Sequence, residues 1–225
     1  CARVMEPSRI LYELEKAYFI ASAGRPGPCW VDVPMNVQSS LVEENDLVRF
    51  DPTELAAPRS PAPETVASIW DEVRRAERPV VWLGHGIRLS GALKELKALL
   101  KCAKVPYLVS WAGIDMVESD HPLVFGRAGV YGQRAANFVL QNCDYLLTIG
   151  TRLAVPQVGY DVGELARAAR IAVVDIAGAE LSKYPERWHK TLACDAGDFL
   201  RESLRVLKAQ PVAAPKSWMA ACITW

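Results

Sequence analysis

Four short stretches of this sequence hold the residue kinds that grip phosphates, sugar hydroxyls and flat rings. In GHGIRLSG, Gly84 and Gly86 would let backbone amides come close to a phosphate or a planar ring. Leu89 stands where the full dinucleotide fingerprint needs its third glycine, so a plain tight strand-to-helix turn remains open as a reading. Ser110, Trp111 and Gly113 close a second apolar run, and Gly150, Thr151 and Arg152 close a third. A guanidinium just past a strand suits bidentate phosphate binding, with a surface ion pair as the alternative. Asp175, near the end of RIAVVDI, is placed to accept from ribose hydroxyls or to cap the next turn. Between these, DHPLVFGRAGVYGQRAAN (residues 120–137) repeats glycine at 126, 129 and 132 ahead of a helix. It could lie flat over a ligand, with the helix start near Gln133 facing it, or the glycines could simply permit its turns.

All of these positions need a scaffold that brings loop ends together. The pattern predicts a helix over 64–77, a strand PVVWLG, a helix ALKELKALLKCA and a strand PYLVS. A helix QRAANFVLQNC, a strand DYLLTIG, a short helix GELARAA, a strand RIAVVDI and a long amphipathic helix DAGDFLRESLRVLKA follow. Nearly continuous apolar strands separated by amphipathic helices indicate a parallel sheet covered on both faces, with its crevice at the carboxyl ends of the strands. The expected fold is therefore α/β, a doubly wound parallel sheet over residues 64–209. Upstream, Ser8 is a plausible N-cap for a helix ending at Gly24, and CWVDVP reads as a short strand. Residues 39–63 and 210–225 are proline-rich and lack a sustained period, as linkers do, although SWMAACITW reads as the opening of another element.

Composition narrows the function classes. The chain has 225 residues, 51% of them hydrophobic, with 26 basic and 26 acidic side chains. No global field favours nucleic acid or anionic lipid, and no apolar run reaches the roughly 20 residues of a membrane span. A cytoplasmic setting is the default expectation. The six cysteines are scattered without a CxxC pair, and His85, His121 and His189 lie far apart, so neither a metal site nor a nucleophile with its base is signalled. The start on Cys1 suggests a piece of something longer.

The constrained stretch GRPGPCWVDVPMNVQ (residues 24–38) resembles the GRPGPVxxDxPxDVQ signature that ends the pyrimidine-binding domain in thiamine diphosphate enzymes of the acetolactate synthase type. RPVVWLGHGI, SWAGIDMVESDHPLVFGRAGVYG, CDYLLTIGTRL and RIAVVDIAGAELSK resemble segments of the same family's central domain, in the same order. The resemblance implies a tail of the pyrimidine-binding domain over 1–38, a linker over 39–63, a Rossmann-like central domain over 64–209, and a linker with the start of the pyrophosphate-binding domain over 210–225.

It further implies a parent enzyme that decarboxylates a 2-keto acid and joins the product to an acceptor carbonyl. Thiamine diphosphate and Mg2+ would be held outside these residues, so no catalytic residue and no metal ligand is expected here. Active sites shared between subunits would make the parent a homodimer or homotetramer. Carried over position by position, the resemblance places FAD contacts at Gly84, Gly86, Ser110, Trp111, Val130, Tyr131, Gly150, Arg152, Asp175, Ile176, Asp195 and Ala196. Ala154, Pro156 and Tyr131 depart from the family's aspartate, arginine and histidine. A central domain holding another nucleotide or none, or a non-catalytic nucleotide-binding module, therefore stays open beside the FAD reading.

Overall fold

The computed structural model describes residues 1–55 and 60–225. The part of the expected linker that falls on 56–59 lies outside the described residues. The chain divides into two compact units, Cys1–Pro58 and Arg59–Trp225.

In the first unit, β1 (Ala2–Arg3) is followed by α1 (Ile10–Ser22), β2 (Val31–Asp32) and α2 (Met35–Gln38). Gly24, at φ +58°, takes the left-handed turn that stops α1. Ser8 sits within a 3-10 turn, Pro7–Arg9, rather than serving as the expected N-cap. Only Val31 and Asp32 of the expected strand pair, in parallel with Ala2 and Arg3. Residues 44–54 fold into two 3-10 turns that lie along α1. There the Phe50 amide donates to Glu15 Oε2 at 2.9 Å, and the Phe50 ring meets Tyr12 edge-on at 5.6 Å.

The second unit begins with α3 (Pro63–Arg75), β3 (Pro79–Leu83), α4 (Gly86–Leu89), α5 (Leu93–Cys102), β4 (Ala103–Lys104) and β5 (Tyr107–Val109). It continues with α6 (Arg134–Asn142), β6 (Tyr145–Ile149), α7 (Val155–Val158), β7 (Arg170–Asp175), α8 (Gly178–Leu181), β8 (Trp188–Ala193), α9 (Ala196–Ala209), β9 (Val212–Ala213) and α10 (Lys216–Thr224). Its main sheet has five parallel strands in the order β5-β3-β6-β7-β8. The chain leaves β3 toward β5 and returns past it to β6. Right-handed crossovers in opposite directions place α5 and α6 on opposite faces. The sheet is accordingly doubly wound, and every residue of β3 and β6 is buried. Trp70, Trp82, Tyr107, Tyr145 and Phe199 are the bulkiest fully buried side chains of its core.

Three elements differ from expectation. GELARAA forms only a 3-10 turn, Val162–Glu164. Asp161 accepts from the Gly163 amide, Ala166 sits at φ +44°, and the Arg187 guanidinium donates to the Leu165 carbonyl at 2.6 Å, so side chains hold the backbone where helical bonds would have formed. Trp188–Ala193 is a strand without a strand-like apolar pattern, because it is the sheet's edge and only alternate residues turn inward. After α9, β9 pairs with β4, and Trp218 of α10 donates from Nε1 to the Pro79 carbonyl at 3.1 Å.

Glu72 of α3 ties that edge strand down. Its Oε1 is 2.6 Å from Lys190 Nζ, and its Oε2 lies 3.2 Å from His189 Nε2 and 3.3 Å from an Arg170 guanidinium nitrogen. Burial alone would raise its pKa, but hydrogen bonds from Lys190 and His189 outweigh burial and hold the carboxyl below the usual glutamate range. A depressed folded-state pKa gives stability that is present above the unfolded value and is lost as pH falls through the folded one. Chemical denaturation across the acid range should therefore show stability falling with pH, and Glu72→Gln should flatten that slope. Equal acid slopes for the native chain and the variant would contradict the assignment.

Candidate functional site

In a sheet of this order the crevice opens between β3 and β6, where the connections diverge. The strand ends are level there, since Leu83 pairs with both Val109 and Ile149, and Ile149 with Val174. The loops after all five strands thus start from one edge. Gly84 and Gly86 follow β3, Ser110 and Trp111 follow β5, and Gly150 and Arg152 follow β6. Asp175 ends β7 with Ile176 after it, and Asp195 and Ala196 follow β8.

At the switch point two loops touch backbone to backbone. A Cβ on Gly84 would lie 2.1 Å from the Gly150 carbonyl oxygen, and one on Gly86 would lie 2.8 Å from the Gly150 Cα. The Gly84 amide donates to the Ile149 carbonyl, the Gly86 amide to the Gly150 carbonyl, and the Gly150 amide to the Val174 carbonyl. Close approach of the two loops thus engages the Gly84 and Gly86 amides themselves, as the tight-turn reading of these glycines allowed. Gly150 itself sits at φ +60°. His85 Nδ1 lies 2.7 Å from the Ala112 carbonyl, which only accepts, so the ring carries its proton on Nδ1 and links the β3 loop to the β5 loop.

The other predicted residues line this edge in different states. Ser110 is 5% exposed, and its hydroxyl has no hydrogen-bond partner among the described residues. Trp111 is 43% and Tyr131 72% exposed, with ring centroids 5.4 Å apart. Val130 is also exposed and is held by its amide to the Pro156 carbonyl at 2.9 Å. Gly129, at φ +123°, approaches Pro156 so closely that a Cβ would lie 2.5 Å from its carbonyl oxygen.

Charged groups at the edge already have duties. Arg152 Nε is 3.2 Å from Glu180 Oε1 of α8, while the Arg152 side chain stays 64% exposed. Lys183 pairs with the same Glu180 and donates to the Arg152 carbonyl. The next residue, Leu153, is buried at φ +50°, a costly conformation for a branched side chain. Asp175 accepts from the Ala177 amide at 2.9 Å, the turn-capping role. Asp195 accepts from the Gly197 and Asp198 amides and caps α9. Between these carboxylates, burial pushes the Cys194 thiol up to about 12, with Asp195, Asp198 and Asp175 adding to it, so it is no nucleophile near neutral pH. Sequence reasoning missed Glu180, Lys183 and His85. The spacing of Glu180 and Lys183 on a helical turn was the available signal for the first two. Among the described residues, no group of histidine, cysteine and carboxylate side chains could hold a metal ion, and no helix is long and apolar enough to cross a membrane.

Residues 66–203 match the family described as thiamine pyrophosphate enzyme, central domain. The chain belongs to that family. It is 30% identical to the probable acetolactate synthase large subunit of Methanocaldococcus jannaschii, a match covering 96% of this chain and 37% of the relative. It is 31% identical to the acetolactate synthase isozyme 1 large subunit of Escherichia coli K12, covering 88% and 34%. It is 34% identical to the probable chloroplastic acetolactate synthase 2 of Oryza sativa subsp. japonica, covering 90% and 30%. The chain spans about a third of the length of these curated relatives.

A methyl group at Gly84 has only backbone to displace. Gly84→Ala should destabilise the second unit by at least ~3 kcal/mol in urea denaturation, the upper part of the overpacking range. Gly178→Ala, with nothing within 4 Å of its Cβ, should change little. Near-native stability of Gly84→Ala would show that the loops do not meet as described.

Proposed function

We propose that this chain is the central portion of a thiamine diphosphate-dependent enzyme that decarboxylates a 2-keto acid and transfers the resulting acyl carbanion equivalent to an acceptor carbonyl, and that its sheet edge holds FAD. The carrying observation is the family match across most of the doubly wound unit, together with large-subunit relatives aligned over nearly all of the chain. Thiamine diphosphate, held with Mg2+ in parts of the parent that this chain does not span, supplies the electron sink for decarboxylation. We further infer a parent that works as a homodimer or homotetramer in the cytoplasm.

The residues at the edge fit a flat nucleotide cofactor. Ser110 offers a buried hydroxyl without a partner, and burying a polar group unpaired is unfavourable unless a ligand completes it. Trp111 and Tyr131 offer exposed aromatic surface beside it. Arg152 is engaged through Nε, and its exposed guanidinium suits a diphosphate oxygen. The chain's own work in this reading is to bind, orient and cover the cofactor; the resemblance to the family assigns FAD no redox role in carboligation.

One observation favours a second reading. The Gly84, Gly86 and Gly150 amides are all engaged internally, and Ala154 and Pro156 offer no side-chain donor, which suits a central domain that holds a different nucleotide or none.

For the activity, the intact parent protein should release carbon dioxide from a 2-keto acid such as pyruvate only when thiamine diphosphate and Mg2+ are both supplied. Absence of any such release across a panel of 2-keto acids would refute the proposal.

A further inference from the structure

At the opposite end of the sheet from the candidate edge, where β6, β7 and β8 begin, basic side chains gather around one carboxylate, Glu72 of α3. A bulge brings them together. Ile171 pairs with Trp188 and Ala172 with Lys190, which leaves His189 as an extra residue in the edge strand. A bulge re-aims side chains that a regular strand would alternate. His189 and Lys190, adjacent in sequence, accordingly both reach Glu72, at 3.2 and 2.6 Å.

Nε2 of the His189 ring stands between two groups with opposite demands. It lies within hydrogen-bond reach of the Arg170 guanidinium and 3.2 Å from Glu72 Oε2. A guanidinium only donates and an ionised carboxylate only accepts, whereas a ring nitrogen carries either a lone pair or a proton. Nε2 therefore serves one neighbour at a time. With a lone pair it accepts from Arg170, and the ring carries its proton on Nδ1. With a proton it donates to Glu72 and meets another donor in Arg170.

The other polar groups here are committed. Lys190 Nζ is held by Glu72 and by Ser68 Oγ, each at 2.6 Å. Burial, with Glu72 beside it, pushes the Tyr145 phenol up, so that it stays neutral. The His189 side chain is 34% exposed and the Arg170 side chain 57%. A proton thus reaches the ring from water, and the guanidinium can swing outward at little cost.

We propose that His189 is a proton-operated switch on the edge strand. The neutral ring accepts from Arg170, which also reaches Glu72 at 3.3 Å, so β7, β8 and α3 are tied at one point. Protonation of Nε2 turns the ring into an imidazolium paired with Glu72, and like charge then expels Arg170 toward solvent. In that state α3 keeps β8 through His189 and Lys190 and loses its tie to Arg170 of β7. Histidine is the side chain whose charge ordinarily changes between about pH 5 and 8. The switch operates without the proposed reaction and without a cofactor.

The test uses the intact parent protein with nitrogen-15 in its histidine rings, the His189 signals being identified by their loss in His189→Gln. At about pH 8.5 the ring should be neutral with its proton on Nδ1, the less favoured tautomer of free histidine. In Arg170→Gln that proton should move to Nε2, which faces Glu72. Acidification to about pH 5 should protonate both nitrogens. Crystal structures of the native protein at the two pH values need no substitution. The Arg170 guanidinium should lie on Nε2 at the higher pH and should have left it at the lower, with the pair between His189 and Glu72 kept. A proton on Nε2 of the native ring at about pH 8.5, a tautomer unmoved by Arg170→Gln, a ring still neutral at about pH 5, or a guanidinium that stays against the ring there would overturn the proposal.

Discussion

The second unit depends on a contact between two backbones. Gly84 and Gly86 after β3 lie against Gly150 after β6 at distances that no Cβ permits. This contact falls at the one place in the sheet where the chain reverses its direction of winding, and therefore where loops would otherwise diverge. By closing the base of the crevice it fixes how the neighbouring loops stand. His85 reaches across to the β5 loop, while Arg152 and the strained Leu153 leave the β6 side toward Glu180 and Lys183. Strain at Leu153 is tolerated because the residues on both sides are held, Arg152 by its pair with Glu180 and Ala154 by Gln157.

The same economy governs the carboxylates. Asp175 and Asp195 occur at strand ends where a nucleotide sugar would be met, yet each also accepts from amides of the turn or helix that follows. A ligand at this edge would share these groups with the fold rather than own them. Ser110 differs, because its hydroxyl is buried beside exposed Trp111 and Tyr131 and nothing in the described chain satisfies it. That contrast makes the end of β5 the part of the edge that a ligand would complete most directly.

Much of this was legible in the sequence. PVVWLG, DYLLTIG and RIAVVDI have nearly continuous apolar centres because both faces of the sheet are covered, and that continuity announced a parallel, doubly wound fold. The strand at Trp188–Ala193 was not legible, because an edge strand alternates weakly and Lys190 turns toward Glu72 and Ser68. GELARAA has helical composition, but Asp161 and Arg187 supply competing hydrogen bonds that local propensity does not reveal. The glycines were recognised as points of close approach; what they approach was hidden, since the meeting of Gly84 with Gly150 exists only once β3 and β6 are paired.

The central claim is that the crevice bounded by this glycine contact cradles a flavin nucleotide. The visible absorbance spectrum of the intact parent protein, taken as purified and again after incubation with FAD and removal of the excess, tests it most directly. The account predicts protein-bound flavin bands in stoichiometric amount. A colourless protein that retains no FAD after incubation would contradict it.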